Sequence, residues 1–192
     1  IAKVQARNSA QEHRPAGTVH RPHRLPRPGT HQRVHALPLA WFEARGVRTD
    51  IVDIDPDVVA IAKDYFGFQV SGDIIIADAR YYLNTSSRQY DYIILDVFNG
   101  DTTPGHILSL EALELVKARL TEKGIVGINL IGSLKRENFM TASIIRTLEK
   151  VFRNVDIYPN YAVETSEGGG NITVLAYNAA FKPFDRRSVA GL

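Results

Sequence analysis

Residues 49–66 read TDIVDIDPDVVAIAKDYF, and the join in the middle of this stretch decides the fold. Thr49 to Ile54 is a short run rich in β-branched residues, which predicts a strand. The run stops at Asp55-Pro56. Asp55 suits a helix N-cap, and Pro56, with its fixed φ and no N–H to lose, suits the first helical position. Beyond it Val58, Ile61, Ala62 and Tyr65 fall at i, i+3, i+4 and i+7, which predicts a helix with one face in the core. A strand that feeds directly into a helix is half of a βαβ unit, so a parallel sheet covered by helices is expected.

Working outward, the same alternation repeats. Residues 73–77 (DIIIA) predict a strand, 79–84 a short helix, and 90–96 (YDYIILD) a buried strand. Ser109 opens a helix to about Leu120 with Leu113, Val116 and Leu120 on one side. Thr121 to Gly124 then turns the chain into 125–131 (IVGINLI), a near-continuous apolar run typical of a central parallel strand. A helix at about 136–152 places Ile145, Leu148 and Phe152 inward. The last two strands, about 154–158 and 171–178, flank a loop with Gly168, Gly169 and Gly170, too short for another helix, so they are expected to pair antiparallel. The fold class expected is α/β, a doubly wound, mostly parallel sheet with a C-terminal antiparallel strand pair. A helix at about 38–45 precedes the deciding stretch. The strand and Gly-rich turn that should come before Trp41 are not legible, and the best strand candidate, about 31–36, is weak. No internal repeat is present.

The 192 residues suffice for one ordinary domain, and 44% hydrophobic with 23% charged residues argues against wholesale disorder. The absence of cysteine excludes disulfides, thiolate metal sites and cysteine nucleophiles. No apolar run approaches the roughly 18 residues of a membrane span, and the N-terminus has no apolar signal core, so a soluble, cytoplasmic protein is expected. Residues 1–38 hold 7 of the 23 Lys/Arg and 1 of the 21 Asp/Glu, a net of +6, while the rest nets −4. That basic stretch also carries five of the nine prolines and five of the six histidines, with no aromatic residue for stacking on bases. It reads as a poorly ordered leader rather than a nucleic-acid arm. The expected layout is thus a leader over 1–38, a Rossmann-like domain over 39–180 and a tail over 181–192.

In an open α/β sheet, ligands bind outside the carboxyl ends of the strands. Four carboxylates stand there: Asp53, Asp55, Asp78 and Asp96. Asp55, followed by Pro56, reads as a cap. Asp53 ends the second strand, where an acidic residue can accept hydrogen bonds from ribose hydroxyls. Asp78 could meet an exocyclic amine or simply cap the 79–84 helix. Asp96 has no helix directly behind it, which favours a functional role. His106 is the one histidine beyond the leader, so no metal cluster is expected.

These residues carry a family resemblance. IVDIDPDVVAIAKDYFG resembles the second-strand motif of spermidine synthases and their relatives, IADARYYL resembles their Asp-Ala adenine motif, and YDYIILDVFNGDTTPGHILSLEALELVKARLTEKGIVGINL is similar to the stretch that begins at their catalytic aspartate. Together they span about 39–178 in the family's order. The resemblance implies a Rossmann-like methyltransferase fold that binds decarboxylated S-adenosylmethionine as co-substrate. It would transfer the aminopropyl group to a small-molecule amine such as putrescine, without a metal. Asp53 and Ile54 would then hold the ribose side of the donor, Asp78 and Ala79 the adenine, Asp96 would be catalytic, and Asp101 would bind the acceptor. No nucleic acid or membrane partner is implied, and a homodimer is.

The chain departs from the family in four ways. No Gly-rich turn is found before Leu39, and no N-terminal β-domain is present. A second aspartate soon after the catalytic one is replaced by Val97-Phe98-Asn99-Gly100-Asp101, and the ribose acid is Asp where Glu is common. Residues 1 to about 37 are therefore expected to stand outside the ancestral reading frame or to mark a truncation. Two alternatives follow: an S-adenosylmethionine-dependent methyltransferase, since the same sheet and ribose acid serve both, and a degenerate copy of the fold that no longer binds donor.

Overall fold

The computed structural model describes the backbone of residues 5–8 and residues 42–66, 68–96, 105–135, 139–163 and 169–180. Among these, seven strands form one sheet flanked by four α-helices: β1 Gln5–Asn8, β2 Val47–Asp53, α1 Pro56–Phe66, β3 Ile74–Ile76, α2 Ala79–Thr85, β4 Tyr90–Leu95, α3 Leu110–Arg119, β5 Leu120–Gly132, α4 Phe139–Val151, β6 Asn154–Pro159 and β7 Gly170–Tyr177. A 3-10 turn, Gly105–Ile107, precedes α3. The strand order is β3-β2-β1-β4-β5-β7-β6.

Strands β2 and β3 pair parallel, as do β4 and β5. β1 is antiparallel to both β2 and β4, so those two point the same way. β7 is antiparallel to β5 and to β6. Five strands, β2 to β6, therefore run in one direction, which is the mostly parallel sheet with a C-terminal antiparallel pair that the alternation of elements implies.

The strand in the central slot is the part the sequence conceals. Gln5–Asn8 lies inside the stretch expected to be an unstructured leader, and the weak candidate at 31–36 falls outside the described residues. Of the helix expected at 38–45, residues 42 and 43 are helical. It closes with Arg45 N–H and Gly46 N–H donating to the carbonyls of Phe42 and Glu43. Gly46 sits at φ +72°, the left-handed position in which a helix commonly ends.

The core lies between β4, β5, β7 and helices α3 and α4. Ile93, Leu113, Val116, Val126, Leu148 and Val174 are all fully buried there. Ser109 caps α3 by accepting from Ala112 N–H, and the expected inward faces of α3 and α4 are the ones found. Helix α1 differs. Val59 is its buried residue, while Ile61 and Tyr65 are 50% and 78% exposed. Periodicity fixes the width of an apolar stripe but not how much sheet lies beneath it, and here the neighbouring edge strand β3 offers three residues. Thr121 to Gly124, expected as a turn, belongs to β5. The pairing jumps from Tyr90–Leu120 to Tyr92–Ile125, so these residues form a bulge in the ladder.

Candidate active site

The register of the sheet brings the strand-end carboxylates to one rim. Gln5 faces Asp50 on β2 and Ile93 on β4. Three residues further along each strand stand Asp53 and Asp96, at one height and about 10 Å apart, the width of two strand spacings. Asp53 pairs with Ile76, the last residue of β3, and Asp78 follows two residues later in the turn that opens α2.

Each aspartate is held differently. Asp53 is 2% exposed. Its Oδ1 accepts from Asp55 N–H at 3.0 Å and its carbonyl accepts from Ala77 N–H at 2.9 Å. Asp55 accepts from Asp57 N–H, which is the capping role its sequence context indicates. Asp78 is the N-cap of α2 and accepts from Tyr81 N–H at 2.9 Å. Its other oxygen lies 3.7 Å from His106 Nε2, and Arg80 donates to the His106 carbonyl, so the start of α2 is tied to the turn ahead of α3. Asp96 is half-buried, and its Oδ1 accepts from Asn129 Nδ2 at 3.2 Å. Ile54 is 64% exposed at the rim, and Ala79 packs against the core. Asp101 lies outside the described residues, as does any Gly-rich turn ahead of residue 42.

A cavity of about 610 Å³ opens beside the rim, lined by Asp78, Arg80, Tyr81, Asn84, Glu111, Glu114 and Leu115. That volume suits a nucleoside-sized ligand. Asp78 supplies a carboxylate, Tyr81 an exposed ring and Leu115 an apolar wall, a set that fits an adenine. Asp53 and Asp96 do not line this cavity, and the buried Asp53 carboxylate already holds the turn that follows β2. The Asp78 carboxylate is likewise engaged, by Tyr81 N–H and beside His106. The Glu111 carboxyl is held below its ordinary range, chiefly by the Ser109 hydroxyl. Among the described residues no cluster of three or more His, Asp or Glu could hold a metal, and no helix is long and apolar enough to cross a membrane.

Two groups escaped the reading of the sequence. Asn129 was legible in principle, being the one polar side chain in the apolar run 125–131 of the central strand, where such a residue needs a partner. Asp50 was not. It is 4% exposed in β2 and accepts from Arg88 Nη1 at 2.8 Å, Tyr90 Oη at 3.0 Å and Asp73 N–H at 2.9 Å. Arg88 also contacts Asp73 at 2.7 Å. Bonds to Asp73 and Asp50 raise the Arg88 pKa further, and burial, with the Tyr82 hydroxyl 2.7 Å away, pushes Tyr90 up.

Comparison with known proteins matches this architecture to two kinds of transferase. The chain is 35% identical over 114 residues to the N-terminal histidine N-methyltransferase of Emericella nidulans, covering 57% of this chain and 20% of that protein. It is 38% identical over 91 residues to the polyamine aminopropyltransferase of Vibrio vulnificus, covering 45% and 30%. The chain thus spans less than a third of either curated relative. Among solved structures, a probable spermidine synthase from Corynebacterium glutamicum superimposes with a TM-score of 0.61 at 21% identity, covering 69% of this chain and 48% of that one. Human methyltransferase-like protein 13, solved in complex with SAH, gives 0.58 at 22%, covering 74% and 66%. Both share the fold. Residues 39–183 match the spermine/spermidine synthase domain, most of the chain and every element from β2 to β7, and the chain belongs to that family.

Proposed function

We propose that this protein transfers an aminopropyl group from decarboxylated S-adenosylmethionine to an amine such as putrescine. The observation that carries the reading is the sheet register, which ends β2 at Asp53 and puts Asp96 just past the end of β4 at the same height, with Asp78 two residues beyond the end of β3. An alkyl ammonium in water titrates at a pH of about 10 and cannot attack carbon until it loses a proton. Asp96 would attract and orient that ammonium and help remove its proton. The amine nitrogen then forms a bond to the carbon next to sulfur, the carbon–sulfur bond breaks, and its electron pair turns the sulfonium into a neutral thioether. Asp78 and Ala79 would hold the adenine of the donor, Asp53 and Ile54 its ribose side, and Asp101 the acceptor. Carboxylates also suit a cationic donor and a dicationic acceptor. The same proposal includes a cytoplasmic location, a homodimer, and no metal, nucleic acid or membrane partner.

A second reading, methyl transfer from S-adenosylmethionine, is favoured by the 35% identity to a methyltransferase. Thermal shift separates the two. The carboxylate of the methyl donor should be repelled by a carboxylate-lined site, so at equal concentration the decarboxylated donor is expected to give the larger shift, its total stabilisation being roughly 2.7 kcal/mol at about 100 times its dissociation constant. A larger shift with S-adenosylmethionine would overturn aminopropyl transfer. No shift with either donor or with methylthioadenosine would mark a copy of the fold that has lost donor binding.

A further inference from the structure

We infer that Asn129 is a positioning residue for Asp96, holding the carboxylate in the rotamer that meets the acceptor amine; this rests on the transferase reading above. Leu95 on β4 pairs with Ile128 on β5, so the next step of the parallel ladder sets Asp96 beside Asn129. Neighbouring residues at one height project to the same face, and the amide donates from Nδ2 to Oδ1 at 3.2 Å. Asn129 is also anchored from the other side, because its backbone pairs with Thr173 on β7. Asp96 itself stands just past the end of β4, where ladder bonds no longer fix the chain.

The contact therefore runs from a strand paired on both sides to a residue just past the end of its own strand. A carboxylate has about four lone-pair positions, so an amide bond at Oδ1 leaves capacity for an ammonium. Asn is also neutral. It orients Asp96 without offsetting the negative charge that draws a cationic acceptor, which Lys or Arg at 129 would do.

Three variants test this against putrescine with decarboxylated S-adenosylmethionine. Asn129→Leu, similar in volume without a donor, is expected to lower kcat about 10- to 100-fold and leave the donor KM unchanged. Asn129→Gln keeps an amide and is expected to recover most of kcat. Asn129→Asp sets two carboxylates side by side, so one must hold a proton at higher pH, and the acid limb of the rate profile is expected to move up by about one unit or more. Melting curves of all three accompany the kinetics. Wild-type kcat in the Leu variant together with an unmoved acid limb in the Asp variant overturns the positioning role and leaves the transferase reading standing. So does a loss in the Leu variant that the Gln variant does not recover and that tracks a fall in melting temperature. Wild-type protein that transfers from neither donor overturns the transferase reading, and this inference with it.

Discussion

Asp50 shows how a residue can be decisive for the fold and invisible in the chain. Its partner Arg88 stands 38 positions away, and nothing near Thr49 announces that a carboxylate in the interior of β2 will be met by a guanidinium, a phenol and a backbone amide. Replacing it by alanine leaves Tyr90 Oη and Asp73 N–H without their acceptor. Asp50→Ala is expected to cost about 2–3 kcal/mol in urea melts. Asp73→Asn, with a side chain 49% exposed, is expected to cost less than about 1 kcal/mol. Asp96 should behave in the opposite way. Asp96→Asn is expected to cut turnover by about 10²- to 10⁴-fold while moving stability by less than about 1 kcal/mol, as rate assays beside melts would show. Tyr177 sets an alkaline limit. Burial and the hydroxyl bond to Asp156 push it from 10.0 up to about 12. Because the folded form prefers the neutral phenol, its contribution is complete below pH 10 and disappears as pH rises towards 12. Tyr177→Phe is expected to flatten that part of the stability profile.

At the scale of elements, the legible ones announce both ends. Helix α3 has Ser109 to begin it and Leu113, Val116 and Leu120 at helical spacing to bury it. Strand β5 has an apolar run that suits only a strand covered on both faces. Helix α2 was legible with its role left open, because an aspartate at an N-cap looks the same whether or not it also holds a ligand. The two roles separate by substitution. Asp78→Ser retains a cap oxygen and is expected to keep stability within about 0.5 kcal/mol, whereas Asp78→Ala loses about 1 kcal/mol. If Asp78 holds the donor's adenine, both variants lose donor binding in thermal shift, and binding retained by the serine variant would reduce Asp78 to a cap. Gly72 belongs at this scale too. A Cβ there would run into the Asp50 carboxylate and the Thr49 carbonyl, so the turn before β3 passes against β2 only as glycine.

For the whole molecule, the alternation of strand and helix made the mostly parallel sheet and its C-terminal antiparallel pair readable from β2 onward. The first strand was not readable, since a four-residue segment without apolar alternation in a basic, Pro-rich stretch carries no local signal. Its place rests on backbone pairing on both sides, to Thr49 and to Tyr92 at Ala6. Ala6→Pro removes an N–H from a strand with neighbours on both edges and is expected to destabilise by about 1–3 kcal/mol. The same substitution at an exposed loop would cost little, so denaturant melts of this variant report directly on whether the slot is filled from the N-terminus.

The reversed direction of β1 has a practical corollary. Asn8, where it ends, is level with Val47 at the foot of β2, while Gln5 stands on the side of Asp53 and Asp96. The chain thus enters the central slot at Gln5 from the side on which Asp53 and Asp96 stand. A bulky substitution at Gln5 is therefore expected to lower donor affinity more than one at Asn8. Matching donor affinities for the two variants would show that the entrance to the first strand does not face the reaction rim.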